Sequence, residues 1–136
     1  MRKVIIGGLA LLLFPLAAIA NDIPTCADKA AKEFGVPEKI FKALVISNVR
    51  KMSNQYGPMG LGKHSIAKIA EHIGSTIDAI KFEPCENYRG AAWWLMSPAG
   101  GKEGDIWKAV NRYFYGNIHR VSYPETERVK AIYENL

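Results

Sequence analysis

Apolar residues recur along this chain at spacings of three and four, the period of a helix rather than of a strand. The clearest run follows Pro37: Ile40, Phe41, Leu44 and Val45 share one face, which ends on the polar Asn48. Pro37 suits a first helical position and Glu38 the positive end of the helix. A polar, turn-like stretch over Lys51 to Gln55 follows, then a glycine-rich loop, Tyr56-Gly57-Pro58-Met59-Gly60-Leu61-Gly62. A helix leading into such a loop suggests the wall of a cleft.

The same period places the other elements. Thr25 is expected to cap a first helix carrying Ala27, Ala30, Ala31 and Phe34, with Gly35 as its stop. Ser65 is expected to cap a helix with Ile66, Ile69, Ala70 and Ile73 on one face, stopped by Gly74. Ser75 or Thr76 opens a short turn carrying Ile77 and Ile80. A helix over Tyr88 to Met96 is apolar nearly all round and is expected at the centre of the core. Ser97 to Gly101 is a loop by composition. Helices over Ile106 to Tyr115 and Glu125 to Glu134 close the chain. No stretch alternates with period two, so the expectation is an all-α domain of about six short helices.

The start changes the picture of where the protein works. Residues 1–20, MRKVIIGGLALLLFPLAAIA, carry Arg2 and Lys3, an apolar run and Ala18-Ile19-Ala20 before Asn21. This is the pattern of a cleaved secretory signal; an uncleaved anchor is the alternative, for which the run is short. The expectation is a periplasmic or secreted domain over 21–136, touching the membrane only through its leader. Losing Arg2 and Lys3 lowers the formal charge from +5 to +3. That mild basicity suits an anionic polymer or an ordinary solvated surface, and falls well short of a nucleic-acid footprint.

An exported chain with two cysteines, Cys26 and Cys85, is read most naturally as holding one disulfide. Free thiols are the alternative. No histidine stands at ligand spacing for zinc, and His64, His72 and His119 suggest neither a metal site nor a triad, so no metal and no cofactor is expected.

The helix followed by Y-G-x-M-x-[IL] resembles the core of the soluble lytic transglycosylases, especially the small members that serve secretion systems and conjugative pili. Two further stretches carry the resemblance. Phe82 to Ala92, FEPCENYRGAA, resembles the family's D-P-C-x-N-x-x-x-[GA]-A segment. Ala109 to Gly116, AVNRYFYG, resembles its A-V-x-x-Y-N-x-G, which lines the far side of the sugar cleft. Cys26 matches the usual partner of the cysteine in the first of these. The resemblance implies a lysozyme-like fold with one disulfide, peptidoglycan glycan strands as ligand, and secretion, conjugation or pilus components as partners.

The family's chemistry uses one glutamate, at the end of the organising helix, as general acid and then base. Here the chain reads Ile46-Ser47-Asn48-Val49, so Asn48, or Ser47, stands at the catalytic position and neither can donate an acidic proton. Gly60 stands at the family's glutamine and Phe114 at the asparagine after Tyr113. The segment from Asn48 to Tyr56 is also shorter than the family's. The resemblance places substrate contacts at Tyr56, Gly57, Met59, Gly60, Tyr113 and Phe114. Tyr56, Met59, Tyr113, Phe114 and Tyr115 offer aromatic or apolar faces for sugar rings, although Met59 and Phe114 also read as core. Trp93, Trp94 and Trp107 read as core in preference to sugar platforms. Arg112, His119 and Arg120 can form a basic rim or a plain solvated face.

Three functions follow as expectations. The favoured one is an accessory that binds glycan or an envelope machine without cutting. The second is an active transglycosylase with a relocated acid, for which Glu71 and Glu86 are the candidates. The third is a protein-interaction module that no longer binds sugar.

Overall fold

The computed structural model describes residues 22–48, 55–97, 104–115 and 123–136. The expected leader, Val49 to Asn54, the loop residues 98–103, and 116–122 with His119 and Arg120 lie outside them. Among the described residues there are seven helices and one short β ladder. The helices are α1 (Thr25–Phe34), α2 (Glu38–Ser47), α3 (Lys63–Ile73), α4 (Ile77–Phe82), α5 (Pro84–Met96), α6 (Ile106–Tyr115) and α7 (Pro124–Glu134). Strands β1 (Gln55–Tyr56) and β2 (Leu61–Gly62) pair antiparallel, Gln55 opposite Gly62 and Tyr56 opposite Leu61. The chain is therefore mostly helical, as its periodicity predicts. Periodicity does not predict the ladder, because two-residue strands are too short to show any alternation.

Several boundaries differ from expectation for local reasons. Pro24, not Thr25, is the N-cap of α1, and its carbonyl accepts from the Ala27 N–H at 2.9 Å. α3 starts at Lys63, so Ser65 lies inside it rather than capping it. Thr76 is the cap of α4, its Oγ1 accepting from the Ala79 N–H at 3.1 Å. The Ser75 hydroxyl instead donates to Glu86 Oε2 at 2.6 Å. α5 begins at Pro84, four residues before the predicted start at Tyr88. A proline costs nothing there, since the first turn has no partner for its N–H.

α5 is the central element and packs against α1, α3, α4 and α6. Gly90 allows that approach: a Cβ there would sit 3.0 Å from Ile69 and 3.4 Å from Ile80. Ala91, Ala92 and Leu95 are buried, while Trp93 and Trp94 are half-buried at its flank. Phe41 and Leu44 of α2, Ile66 and Ile69 of α3, and Val110 and Val129 of α6 and α7 complete the core.

The covalent tie is as predicted. Cys26 and Cys85 form a disulfide joining the first turns of α1 and α5, with Cα atoms 5.5 Å apart. Arg89 reinforces the same junction, its Nε donating to both carboxylate oxygens of Glu33 at 2.9 Å and its Nη2 to the Ile73 carbonyl at 3.2 Å. One guanidinium thus links α1 and the end of α3 to α5. Glu33 raises the Arg89 pKa further, chiefly through the hydrogen bond.

Candidate functional site

The site begins where α2 ends. The buried positions of α2 are Ile40, Phe41, Ala43, Leu44 and Ser47, so the helix face continues to Ser47 rather than to Asn48. Ser47 is 3% exposed and its hydroxyl donates back to the Leu44 carbonyl at 2.7 Å. That bond uses its proton inside its own helix, which leaves Ser47 facing the core and not the loop.

Asn48 is the C-cap of α2 and half-buried at the rim. Its side chain lies over Gly60. A Cβ on Gly60 would stand 3.4 Å from Asn48 Oδ1, 3.5 Å from Asn48 Nδ2 and 3.2 Å from Gln55 Oε1. Asn48, Gln55 and Gly60 therefore converge, as the helix-then-loop order suggests. Asn48 Nδ2 is buried and has no hydrogen-bond partner among the described residues.

The loop from Gly57 to Gly60 closes on a hydrogen bond from the Gly60 N–H to the Gly57 carbonyl at 3.1 Å. Both glycines have left-handed backbones, with φ of 70° and 59°. Two helices hold this turn. Asn87 of α5 accepts from the Met59 N–H at 2.8 Å, and its Nδ2 donates to the carbonyls of Tyr56 at 3.1 Å and Ile80 at 2.8 Å. From α6, the Tyr113 hydroxyl donates to the Met59 carbonyl at 2.8 Å. Tyr113 is half-buried as a residue, and desolvation of its hydroxyl pushes its pKa well above the ordinary phenol range.

The predicted contact residues play different parts in this arrangement. Tyr56 is half-buried, with the Lys81 ammonium 4.6 Å from its ring centroid. Met59 is 1% exposed, so its side chain is core and only its peptide groups belong to the site. Phe114 stands edge-on to Tyr113 with centroids 5.4 Å apart. Arg112 forms no basic rim: it turns inward onto the last carbonyls of α5. Of the alternative acids, Glu71 is exposed on α3. Glu86 is engaged by Ser75 and lies 3.6 Å from Arg89 Nη1. Among the described residues no three His, Cys, Asp or Glu side chains gather to hold a metal ion.

Asn87 is the residue that sequence reasoning passes over. It falls at the asparagine of the D-P-C-x-N resemblance, which assigns it no role, yet it is 0% exposed and organises the loop. A signal is present: Asn87, Ala91 and Leu95 share one helix face by their spacing of four, an amide on an otherwise apolar stripe.

No protein-family model matches the chain, and no curated protein or solved structure does either.

Proposed function

We propose that this chain is an exported, lysozyme-like helical protein related to the small lytic transglycosylases, which grips peptidoglycan glycan strands without cleaving them. It acts as an accessory of an envelope-spanning secretion, conjugation or pilus machine. One observation carries the reading. The end of α2, the glycine loop, Asn87 of α5 and Tyr113 of α6 come from the three stretches that resemble the family, and they meet around Met59 and Gly60. Chance similarity in three separated segments gives no reason for them to converge.

Cleavage of a glycosidic bond needs a proton delivered to the leaving oxygen as positive charge grows on the sugar. An amide at position 48 supplies no such proton. Ser47 is turned into the core, and Glu86 is held by Ser75 and Arg89. What remains is binding chemistry: a half-buried Tyr56, apolar in its body and polar at its hydroxyl, and amide and peptide groups of the turn able to meet sugar hydroxyl and acetamido groups.

The test is a pair of measurements on purified sacculi with the natural protein and Asn48→Glu. The natural protein is expected to sediment with sacculi and to release no anhydro-muropeptides. Asn48→Glu is expected to gain slight release. Release by the natural protein overturns the non-cleaving reading, and failure to sediment overturns glycan binding.

A further inference from the structure

We infer that Asn87 and Gly57 form one locked pair that positions the glycine loop, and that this pair decides whether the loop can receive a glycan. The inference rests on the glycan-binding reading for its functional half and on geometry alone for its structural half.

An asparagine amide has two donor hydrogens and an acceptor oxygen. Both hydrogens of Asn87 are used, one on Tyr56 and one on Ile80, and the oxygen takes the Met59 N–H. The bond to Ile80 ties the amide to the end of α4, which fixes its plane. The bonds to Tyr56 and Met59 then fix the turn on either side of Gly57 and Pro58. With the side chain 0% exposed, water cannot substitute for any of these partners.

Gly57 is the other half of the lock. A Cβ there would lie 2.5 Å from Asn87 Oδ1 and closer still to its Cγ and Nδ2. The Asn87 amide thus occupies the space that any side chain at 57 requires, and the loop comes down on it because position 57 has none. The backbone φ of 70° is independently suited to glycine. Tyr113 holds the Met59 carbonyl from the opposite helix, so the Met59 peptides are gripped from α5 and α6 together. The surface this presents, Tyr56 to Gly60 beside Asn48, is a preformed shape, which spares a ligand the entropy of ordering it. Asn87 touches no ligand in this account and is a positioning residue.

Three variants test the pair: Asn87→Ala, Gly57→Ala, and both together. Each is followed by amide hydrogen exchange at Met59 and Gly60, by thermal unfolding, and by retention on purified sacculi. In the natural protein the Met59 amide is expected to exchange slowly. Asn87→Ala is expected to speed that exchange at least about tenfold while α1 and α3 amides are unchanged, and to lower retention on sacculi by a similar factor. Gly57→Ala, which leaves α5 intact, is expected to do the same from the loop side. It serves alone if Asn87→Ala does not fold. The double variant is expected to lose less than the product of the single losses, because truncating the side chain at position 87 vacates the space that a Cβ at 57 needs. Met59 protection that survives Asn87→Ala, or losses that multiply fully, overturns the lock. A loosened loop with undiminished retention overturns its functional role. If the natural protein is not retained at all, the glycan reading fails, while the exchange data still decide the lock.

Discussion

The guanidinium of Arg112 lies 5.3 Å from the ring centroid of Trp94 and donates to that residue's carbonyl at 2.5 Å. The same Nη2 also faces the carbonyls of Leu95 at 3.3 Å and of Ser97. These are the orphan acceptors at the C-terminus of α5, where a cation is also favoured by the helix dipole. Burial lowers the Arg112 pKa, but the group starts so basic that it stays charged. An arginine that composition offers to a surface rim is therefore a clamp between α6 and the central helix.

This makes Arg112→Lys a non-conservative change. A lysine ammonium has no planar fork to span the last turn and gives no stacking on Trp94. We expect Arg112→Lys and Arg112→Ala each to destabilise the fold, the alanine variant by about 2–3 kcal/mol, since it leaves several carbonyls unpaired. Urea unfolding measures both. A change within a few tenths of a kcal/mol for alanine would show that the clamp carries no stability.

Tyr113 predicts an alkaline limit. Burial raises the phenol pKa of Tyr113, and of Tyr88 in the core, above the ordinary value of 10.0. Above that value the unfolded chain loses phenol protons that the folded chain keeps. The unfolded state then binds fewer protons, so stability falls as pH rises. The contribution is present in full below about pH 10 and is lost progressively above it. Urea midpoints between about pH 8 and about pH 11 should decline, and Tyr113→Phe should flatten the decline while costing about 1 kcal/mol at neutral pH for the lost bond to Met59. A decline equally steep in Tyr113→Phe would assign it to other groups.

Gly60 cannot simply be exchanged for the glutamine of the resembling family. Its φ of 59° is left-handed, and a Cβ would press to 3.2 Å of Gln55. Gly60→Gln should cost about 1–2 kcal/mol in backbone strain alone. Combining it with Asn48→Glu should add no activity to that of Asn48→Glu alone. Paired unfolding and sacculus-digestion assays check both halves.

Removing the disulfide tests how much of the fold depends on one covalent tie. It closes a separation of 59 residues, for which chain entropy gives about 4 kcal/mol as an upper estimate. Cys26→Ser with Cys85→Ser should lower the urea midpoint accordingly, measured against the natural protein with and without reductant. Adding Glu33→Ala should lower it only slightly further, since the Arg89 and Glu33 side chains are 29% and 43% exposed and solvent screens their attraction.

The sequence by itself determined the parts that depend on local spacing. Helical period and the glycine stops at Gly35 and Gly74 are short-range properties of the chain, so the helices and the ends of α1 and α3 were legible. The pairing of two cysteines in a chain with no third was legible by count.

Only the tertiary structure decided which way polar side chains turn. Ser47 and Asn48 differ by one position, or about 100° around a helix, and packing of α2 sent Ser47 inward and left Asn48 at the rim. Met59 went to the core, so the loop contributes peptide groups where a side chain was expected. Arg112 turned to α5 and Asn87 to the turn, because each met backbone groups from another segment that lacked partners. A buried hydrogen-bond donor or acceptor must find its complement wherever the fold brings one, often from many residues away. Local pattern carries no record of that.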